Sequence, residues 1–260
     1  EIGVLDIYGG SMYSFNSKVR YSELSEDRRL SLVSAINYMQ DCCTFESEEG
    51  GIGLDWLAEH GTSWMLTGWQ IHILRKPEYC EDIRISTWAS SFRYFIGKRC
   101  FLISSISGEP LIYALSDWAY MNMEAGRPEK NVPEKELEVY GMETSIEERF
   151  SEYGIDENER DSLLSGKIVT GDIASYKKLP PITVSHEHID TNNHVNNAQY
   201  AAIATSLLKD VSSTSIFRAE YKGQSRFGEK LYPYVKNEDG VYTVILRGED
   251  DKDRLVCEYR

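Results

Sequence analysis

One polar segment holds the residue types that could do chemistry, in the run Asp190-Thr191-Asn192-Asn193-His194-Val195-Asn196-Asn197. His194 is the one side chain of this run whose ordinary pKa lies near neutral pH, which suits a general base acting on water. Asp190 and Asn192 can reach back within a turn to orient the imidazole or the water. The apolar run that follows predicts a helix over residues 194–209, whose first N–H groups, at residues 195–197, can polarise a carbonyl.

The same residues also have a purely structural interpretation. Asp and Asn favour turns and helix N-termini because their side chains bind free backbone N–H groups. Asp190 and Asn192 could therefore only cap the helix, with His194 as an ordinary polar residue. A zinc site is not predicted, because His186 and His188 would share one face of a strand over residues 182–189 without a completing ligand.

The elements that position this segment follow from hydrophobic periodicity. In the first half we predict a strand over residues 11–20, a helix from Leu30 past Cys43, and a short helix over residues 54–60 closed by Gly61. Four strands follow, over residues 64–75, 83–94, 99–106 and 111–123. After the polar segment the second half has four more, over residues 215–222, 230–237, 241–247 and 254–260, with a hairpin turn at residues 237–240.

The two halves have the same order of elements. Residues 19–24 align with residues 184–189 at an offset of 165, and residues 77–83 align with residues 225–231 at an offset of 148. The first offset places Asp190, Asn192 and His194 opposite Ser25, Asp27 and Arg29, so one copy alone carries the Asp/Asn/His set. The pattern predicts three parts: an N-terminal unit over residues 1–130, an acidic and partly helical linker over 131–170, and a C-terminal unit over 171–260.

Composition narrows the class of protein. The formal net charge is −14, and residues 129–165 alone contain twelve acids and four bases. This charge argues against nucleic acid as the main partner. No run of apolar residues reaches the length of a membrane span, and the five cysteines have no metal-binding spacing. We therefore predict a cytoplasmic protein with reduced cysteines.

A strand, a long helix and an antiparallel meander, present twice, resemble the double hot-dog arrangement. The predicted fold class is α+β, with two tandem hot-dog units in which a long central helix is wrapped by an antiparallel β-sheet. The Asp-x-Asn-x-His-Val-Asn-Asn string, followed by Tyr200, is similar to the signature of acyl-acyl carrier protein (acyl-ACP) thioesterases. Further similarity covers residues 20–23, 37–41, 86–88, 116–118 and 126–128.

This resemblance implies hydrolysis, without a cofactor, of the thioester that links a fatty acyl chain to the phosphopantetheine arm of the carrier. It also implies that Asp190, Asn192 and His194 are catalytic. The family has a further catalytic Glu in a Glu-Tyr-Arg-Arg-Glu-Cys string, which here is Glu220-Tyr221-Lys222-Gly223-Gln224-Ser225. Gln224 stands at the position of that acid, and an amide takes no proton at neutral pH.

The N-terminal unit would hold the acyl chain, and candidate walls are Ile36, Met39, Cys43, Trp69, Ile71 and Trp88. The implied partner is acyl carrier protein, bound by a monomer or a homodimer. Because carrier proteins are acidic, basic residues such as Lys177, Lys178, Lys98, Arg99, Lys222, Arg226 and Lys230 are candidates for its docking surface. Two alternatives stay open: an acyl-CoA thioesterase, and a non-hydrolytic acyl-binding or carrier-binding module.

Overall fold

The computed structural model describes residues 12–141, 150–155 and 166–260, which form two compact units. The first unit contains the described residues of segments 1–66 and 73–165, and the second contains residues 67–72 and 166–260. No helix of the described ranges combines the length and the hydropathy that a membrane crossing requires. The helical turns predicted at Ile146 and over residues 157–164 lie outside the described residues.

The described part of the first unit combines antiparallel strands with helices. The strands are β1 (Tyr13–Lys18), β2 (Thr62–Ile73), β3 (Asp82–Arg93), β4 (Ile96–Ser105), β5 (Pro110–Asn122) and β6 (Arg127–Pro128), and the helices are α1 (Leu32–Glu49), α2 (Leu54–His60) and α3 (Glu134–Tyr140). The order β1-β3-β4-β5-β6 follows from antiparallel pairing. The predicted elements are confirmed here, including Gly61, whose φ of 63° ends α2 in the left-handed region.

Helix α1 covers one face of the sheet in the first unit. Its N-cap is Ser31, whose Oγ accepts the N–H of Ser34 at 3.1 Å, and Ile36, Met39 and Cys42 of its apolar stripe are buried. Successive strand residues point to opposite faces, so Thr87 faces α1 and Trp88 faces away from it. The Trp88 ring instead packs edge-on against Phe150, with ring centroids 5.3 Å apart. The candidate wall residue Trp88 thus lies on the face of the sheet opposite α1.

A buried ion pair lies between α1 and strand β4. The Arg99 guanidinium donates to the Glu46 carboxylate and, at 3.2 Å, to the Thr87 hydroxyl, and both charged residues are less than a tenth exposed. The guanidinium carbon also lies 4.8 Å from the centre of the Tyr140 ring. Burial raises the pKa of Glu46, whereas the Arg99 charge opposes that rise.

The second unit has one α-helix and six strands of its own within the described residues 166–260. Its elements are β7 (Lys177–Lys178), β8 (Ile182–Thr183), α4 (Asn197–Ser206), β9 (Ile216–Tyr221), β10 (Lys230–Glu238), β11 (Val241–Arg247) and β12 (Asp253–Tyr259). Residues 68–72 of β2 pair with β9, so the predicted walls Trp69 and Ile71 belong to this unit. The predicted hairpin is confirmed, with Asp239 and Gly240 both at positive φ, as a tight two-residue turn requires.

The predicted strand over residues 182–189 is wrong beyond its first two residues. Pro180 and Pro181 precede β8 and lack the N–H groups that would extend its pairing. After β8 the chain forms a 3-10 turn over His186–His188, because the N–H of Ser185 donates to Nδ1 of His188 at 3.1 Å. His186 and His188 therefore do not alternate on a strand.

The aligned segments of the two units have the same local hydrogen bonding. Each has a 3-10 turn, at Tyr21–Glu23 and at His186–His188, followed by a loop with one residue at a φ of 59°. Three N–H to carbonyl oxygen bonds of 2.8–3.0 Å recur in each. In the first unit they join Val19 to Glu81, Ser25 to Arg29 and Leu30 to Pro77. In the second unit they join Val184 to Glu229, Asp190 to His194 and Val195 to Ser225. The two sequence offsets therefore relate residues in equivalent local positions.

Candidate active site

One tight turn brings Asp190, Asn192 and His194 together. The N–H of Asp190 donates to the carbonyl oxygen of His194 at 2.8 Å. The Oδ1 atom of Asp190 accepts the N–H of Asn192 at 2.8 Å and the N–H of His194 at 3.3 Å. Asn193 has a φ of 59°, a left-handed conformation that Asn tolerates better than most residues. The Asp190 carboxylate is therefore the anchor that holds the other two residues in place.

Helix α4 begins three residues later than predicted. Asn196 is its N-cap, because its Oδ1 accepts the N–H of Ala198 at 2.8 Å. The N–H of Val195 donates to Ser225, and the N–H of Asn196 donates to His188, both at 2.9 Å. The prediction that the N–H groups of Val195 and Asn196 polarise a carbonyl is therefore wrong, since both are already occupied within the fold.

His194 is partly buried, and its surroundings favour the neutral imidazole. Burial lowers its pKa, and the positive charge of Arg226 lowers it further. The carboxylates of Asp190 and Glu229 act in the opposite direction without reversing the shift. At neutral pH the imidazole is therefore in the form that can accept a proton.

Gln224 lies on the exposed segment that follows strand β9. At the offset of 148 its counterpart is Lys76, whose ammonium pairs with Oδ2 of Asp27 at 3.0 Å. Asp27 is the counterpart of Asn192. The neighbouring Ser225 is buried beside Tyr200 and holds the loop through its carbonyl oxygen.

Two charged residues of the turn 225–229 act on the site without having been predicted to do so. Arg226 was predicted only as a candidate for carrier docking, and Glu229 was not singled out at all. Both influence the protonation of His194, and Oε2 of Glu229 accepts the N–H of Arg226 at 3.1 Å. The offset of 148 was the signal that could have found them, since Glu78 and Glu81 occupy these positions in the first unit.

The equivalent loop of the first unit is held by ion pairs. Arg29 stands at the position of His194, and its Nη2 lies 3.1 Å from Oε1 of Glu78. A guanidinium stays protonated at any physiological pH, so Arg29 offers no base. The first loop therefore repeats the backbone hydrogen bonds of the second, with a permanently charged side chain where the second has an imidazole.

The histidines near the site have structural contacts. Nδ1 of His188 accepts the N–H of Ser185, and the ring of His186 stacks on Phe227 with centroids 3.8 Å apart. Among the residues that the structure describes, no group of three or more His, Cys, Asp or Glu side chains is arranged to hold a metal ion.

The family assignment comes from the first half of the chain. A family model described as the acyl-ACP thioesterase N-terminal domain matches residues 10–140. The chain belongs to the acyl-ACP thioesterase family. Residues 190–197, whose sequence resembles the family signature, lie outside the matched segment.

Curated relatives of this acyl-ACP thioesterase family member are plant proteins. The chain is 26% identical over 272 residues to the chloroplastic acyl-[acyl-carrier-protein] hydrolase FATB3 of Cuphea viscosissima, covering 95% of the chain and 61% of that protein. It is 25% identical over 210 residues to the chloroplastic palmitoyl-acyl carrier protein thioesterase of Gossypium hirsutum, covering 75% of the chain and 46% of that protein. The chain thus spans less than two thirds of the length of these relatives.

Solved structures show the fold. An acyl-ACP thioesterase from Bacteroides thetaiotaomicron superposes with a TM-score of 0.79 at 18% identity, covering 95% of this chain and 96% of that one. The 12:0-ACP thioesterase from Umbellularia californica superposes with a TM-score of 0.80 at 16% identity, covering 96% of both chains. The fold is thus α+β with extensive antiparallel sheet and few helices, as in hot-dog thioesterases.

Proposed function

We propose that this chain hydrolyses the thioester of fatty acyl-ACP and releases a free fatty acid, as a step of fatty acid biosynthesis. The observation that carries the proposal is the Asp190–His194 turn, which presents a neutral imidazole in a member of the acyl-ACP thioesterase family. Curated relatives named as acyl-ACP hydrolases support the same reaction.

In the proposed mechanism His194 is the general base. It takes a proton from water while the water oxygen bonds to the thioester carbon, and it returns that proton to the sulfur as the C–S bond breaks. The carboxamide of Asn192 carries two N–H donors that suit the developing oxyanion. Asp190 holds the turn and favours the protonated imidazole that forms during the step. No step requires a cofactor.

Gln224 completes the proposed site as an orienting residue. Its amide can hold the attacking water but cannot remove a proton from it. The pairing of Lys76 with Asp27 in the first unit supports a position beside Asn192, because the same offsets relate the two pairs. The base role therefore falls to His194.

For the architecture we propose two tandem hot-dog units, each with a central helix wrapped by an antiparallel sheet. The recurring backbone bonds of the two loops support this duplication. The proposed division is 1–130 for the unit that holds the acyl chain, 131–170 for the linker and 171–260 for the catalytic unit. The buried apolar stripe of α1, with Ile36 and Met39, supports the acyl-chain role of the first unit.

The proposed partner is acyl carrier protein, bound through its phosphopantetheine-linked acyl chain. Arg226 and Lys230 are exposed on the segment that carries the site, and their charge suits an acidic carrier. A cytoplasmic location and a monomeric or homodimeric state complete the proposal.

Hydrolysis of matched acyl-ACP and acyl-CoA thioesters tests this function. We expect turnover by the wild type, preference for the carrier thioester, and a loss of about 10³-fold in His194→Ala, which lacks the base. Arg29→Ala is the matched control, because it alters the equivalent loop of the first unit, and it should retain turnover. Preference for acyl-CoA would favour the first alternative. Binding of acyl-ACP without turnover above the His194→Ala background would favour the non-hydrolytic module.

A further inference from the structure

Glu229 and Glu81 perform the same structural task in the two units. Each carboxylate closes its own turn, Glu81 by accepting the N–H of Glu78 at 2.8 Å and Glu229 by accepting the N–H of Arg226 at 3.1 Å. Each also accepts, through its backbone oxygen, the N–H of a buried valine in the preceding segment. In each residue one carboxylate oxygen, Oε2, makes the hydrogen bond that closes the turn.

The charge of the two carboxylates is balanced differently. Glu81 forms two hydrogen bonds of 2.8 and 2.9 Å with the guanidinium of Arg75, which holds its pKa low. At the offset of 148 the position of Arg75 is Gly223, which has no side chain. Within the described ranges no cation lies at ion-pair distance from Glu229. Arg254, which fills the space beside Gly223, donates instead to Asp250 at 2.7 Å.

The charge of Glu229 acts on His194. The turn 225–229 lies against the His194 loop, because Val195 donates its N–H to the carbonyl oxygen of Ser225 at 2.9 Å. The charged groups that influence the imidazole are Asp190 from its own loop and Arg226 and Glu229 from this turn. The equivalent positions interact in the first unit, where the charge of Arg29 acts on Glu81.

We infer that Glu229 is a positioning residue for catalysis, whose carboxylate stabilises the imidazolium that forms when His194 takes a proton from water. It would thereby supply the negative charge that the family pattern has at position 224, where this chain has Gln224. This inference rests on the proposed function, because the imidazolium arises only if His194 is the base. The proton then passes from the imidazolium to the departing sulfur, and the site returns to its starting charge.

The Glu229→Gln variant removes the charge of the side chain but keeps the hydrogen bond that closes the turn. Its amide oxygen still accepts the N–H of Arg226, whereas the negative charge is gone. We expect kcat/KM at neutral pH to fall about tenfold, because the developing imidazolium loses a neighbouring negative charge. We also expect the titration midpoint of the His194 imidazole, followed by NMR, to move to lower pH. Glu229→Asp should restore most of both quantities.

Glu81→Gln is the matched control, because it makes the same change in the same turn of the first unit. It should leave kcat/KM and the His194 titration unchanged. Arg226→Gln provides a second test that does not alter Glu229, and it should move the titration midpoint to higher pH. Thermal unfolding of each variant reports whether the turn is intact.

An unchanged His194 midpoint together with kcat/KM within about twofold of wild type in Glu229→Gln would overturn the inference. An equal loss of activity in Glu81→Gln would also overturn it, because a structural role alone would then explain both. Absence of turnover in the wild type would instead contradict the proposed function, and the NMR titration would still decide whether Glu229 acts on His194.

Discussion

One position of the two equivalent loops determines whether the loop offers a base. Arg29 and His194 occupy equivalent positions in two loops that have the same backbone hydrogen bonds. The guanidinium is permanently charged and forms an ion pair with Glu78, whereas burial and Arg226 keep the imidazole of His194 neutral. The loop is thus a scaffold, and the residue at this position determines whether it can exchange a proton.

At the residue scale, Asp190→Asn tests the charge of the turn anchor. An Asn Oδ1 can still accept the N–H groups of Asn192 and His194, but it no longer favours the protonated imidazole. We expect turnover to fall about 10²-fold with little change in melting temperature. Asn193→Gly is the control, because glycine adopts the left-handed conformation without cost. Near-normal turnover in Asp190→Asn would leave Asp190 as a structural anchor only.

The sequence predicted a polar turn at Asp190, Asn192 and His194 but not where the following helix begins. Asn192, Asn193, Asn196 and Asn197 are all suitable helix-capping residues, so local preference does not choose among them. The choice depends on contacts with distant segments. Above all, the N–H of Val195 donates to the carbonyl oxygen of Ser225, which follows strand β9. Local sequence contains no signal for such a contact.

At the element scale, a buried ion pair joins α1 and β4. Removing one partner of the Glu46–Arg99 pair would leave an uncompensated charge in the interior. We expect Glu46→Gln and Arg99→Met each to lower the free energy of unfolding by about 3–5 kcal/mol, measured by denaturant titration. The double variant Glu46→Gln/Arg99→Met should lose less than the sum of the single variants.

The exposed ion pair of Lys18 and Asp82 is the control for this cycle. Lys18→Met should leave the unfolding midpoint almost unchanged, because water already solvates both charges. Strictly additive losses in the Glu46 and Arg99 variants would show that the two side chains stabilise the unit independently.

Hydrophobic periodicity was sufficient for the long elements and insufficient for a short one. Strands such as β3 and β5 contain enough alternating or apolar residues for the pattern to identify them. Beyond β8, residues 185–188 are all polar and carry no apolar alternation, and they form a 3-10 turn. The imidazole of His188 takes the N–H of Ser185, and this side-chain bond replaces strand pairing.

At the scale of the whole molecule, His72 predicts how stability depends on pH. This residue of β2 is 8% exposed, and burial lowers its pKa to about 4. Between pH 6.5 and pH 4 the His72 imidazole is protonated in the unfolded chain but neutral in the folded chain. The unfolded chain therefore binds more protons, and the free energy of unfolding falls as pH falls from 6.5 towards 4. We expect the His72 contribution to fall by about 2 kcal/mol between pH 7 and pH 5.

Urea unfolding of the wild type and of His72→Phe at both pH values measures this contribution. The carboxylates titrate in both proteins, so the difference between the two pH dependences isolates the imidazole. Parallel pH dependences would show that His72 does not reject the proton in the folded chain.

The two prolines that interrupt the segment from β7 to β8 also bear on how copies of the chain behave towards one another. This segment is the outer neighbour of β10, and a sheet rim of unbroken backbone donors invites a strand from another molecule. Pro180 and Pro181 remove two donors from that rim, and the adjacent Lys177 and Lys178 add repulsive charge. The irregular segment thereby protects the second unit from edge-to-edge aggregation.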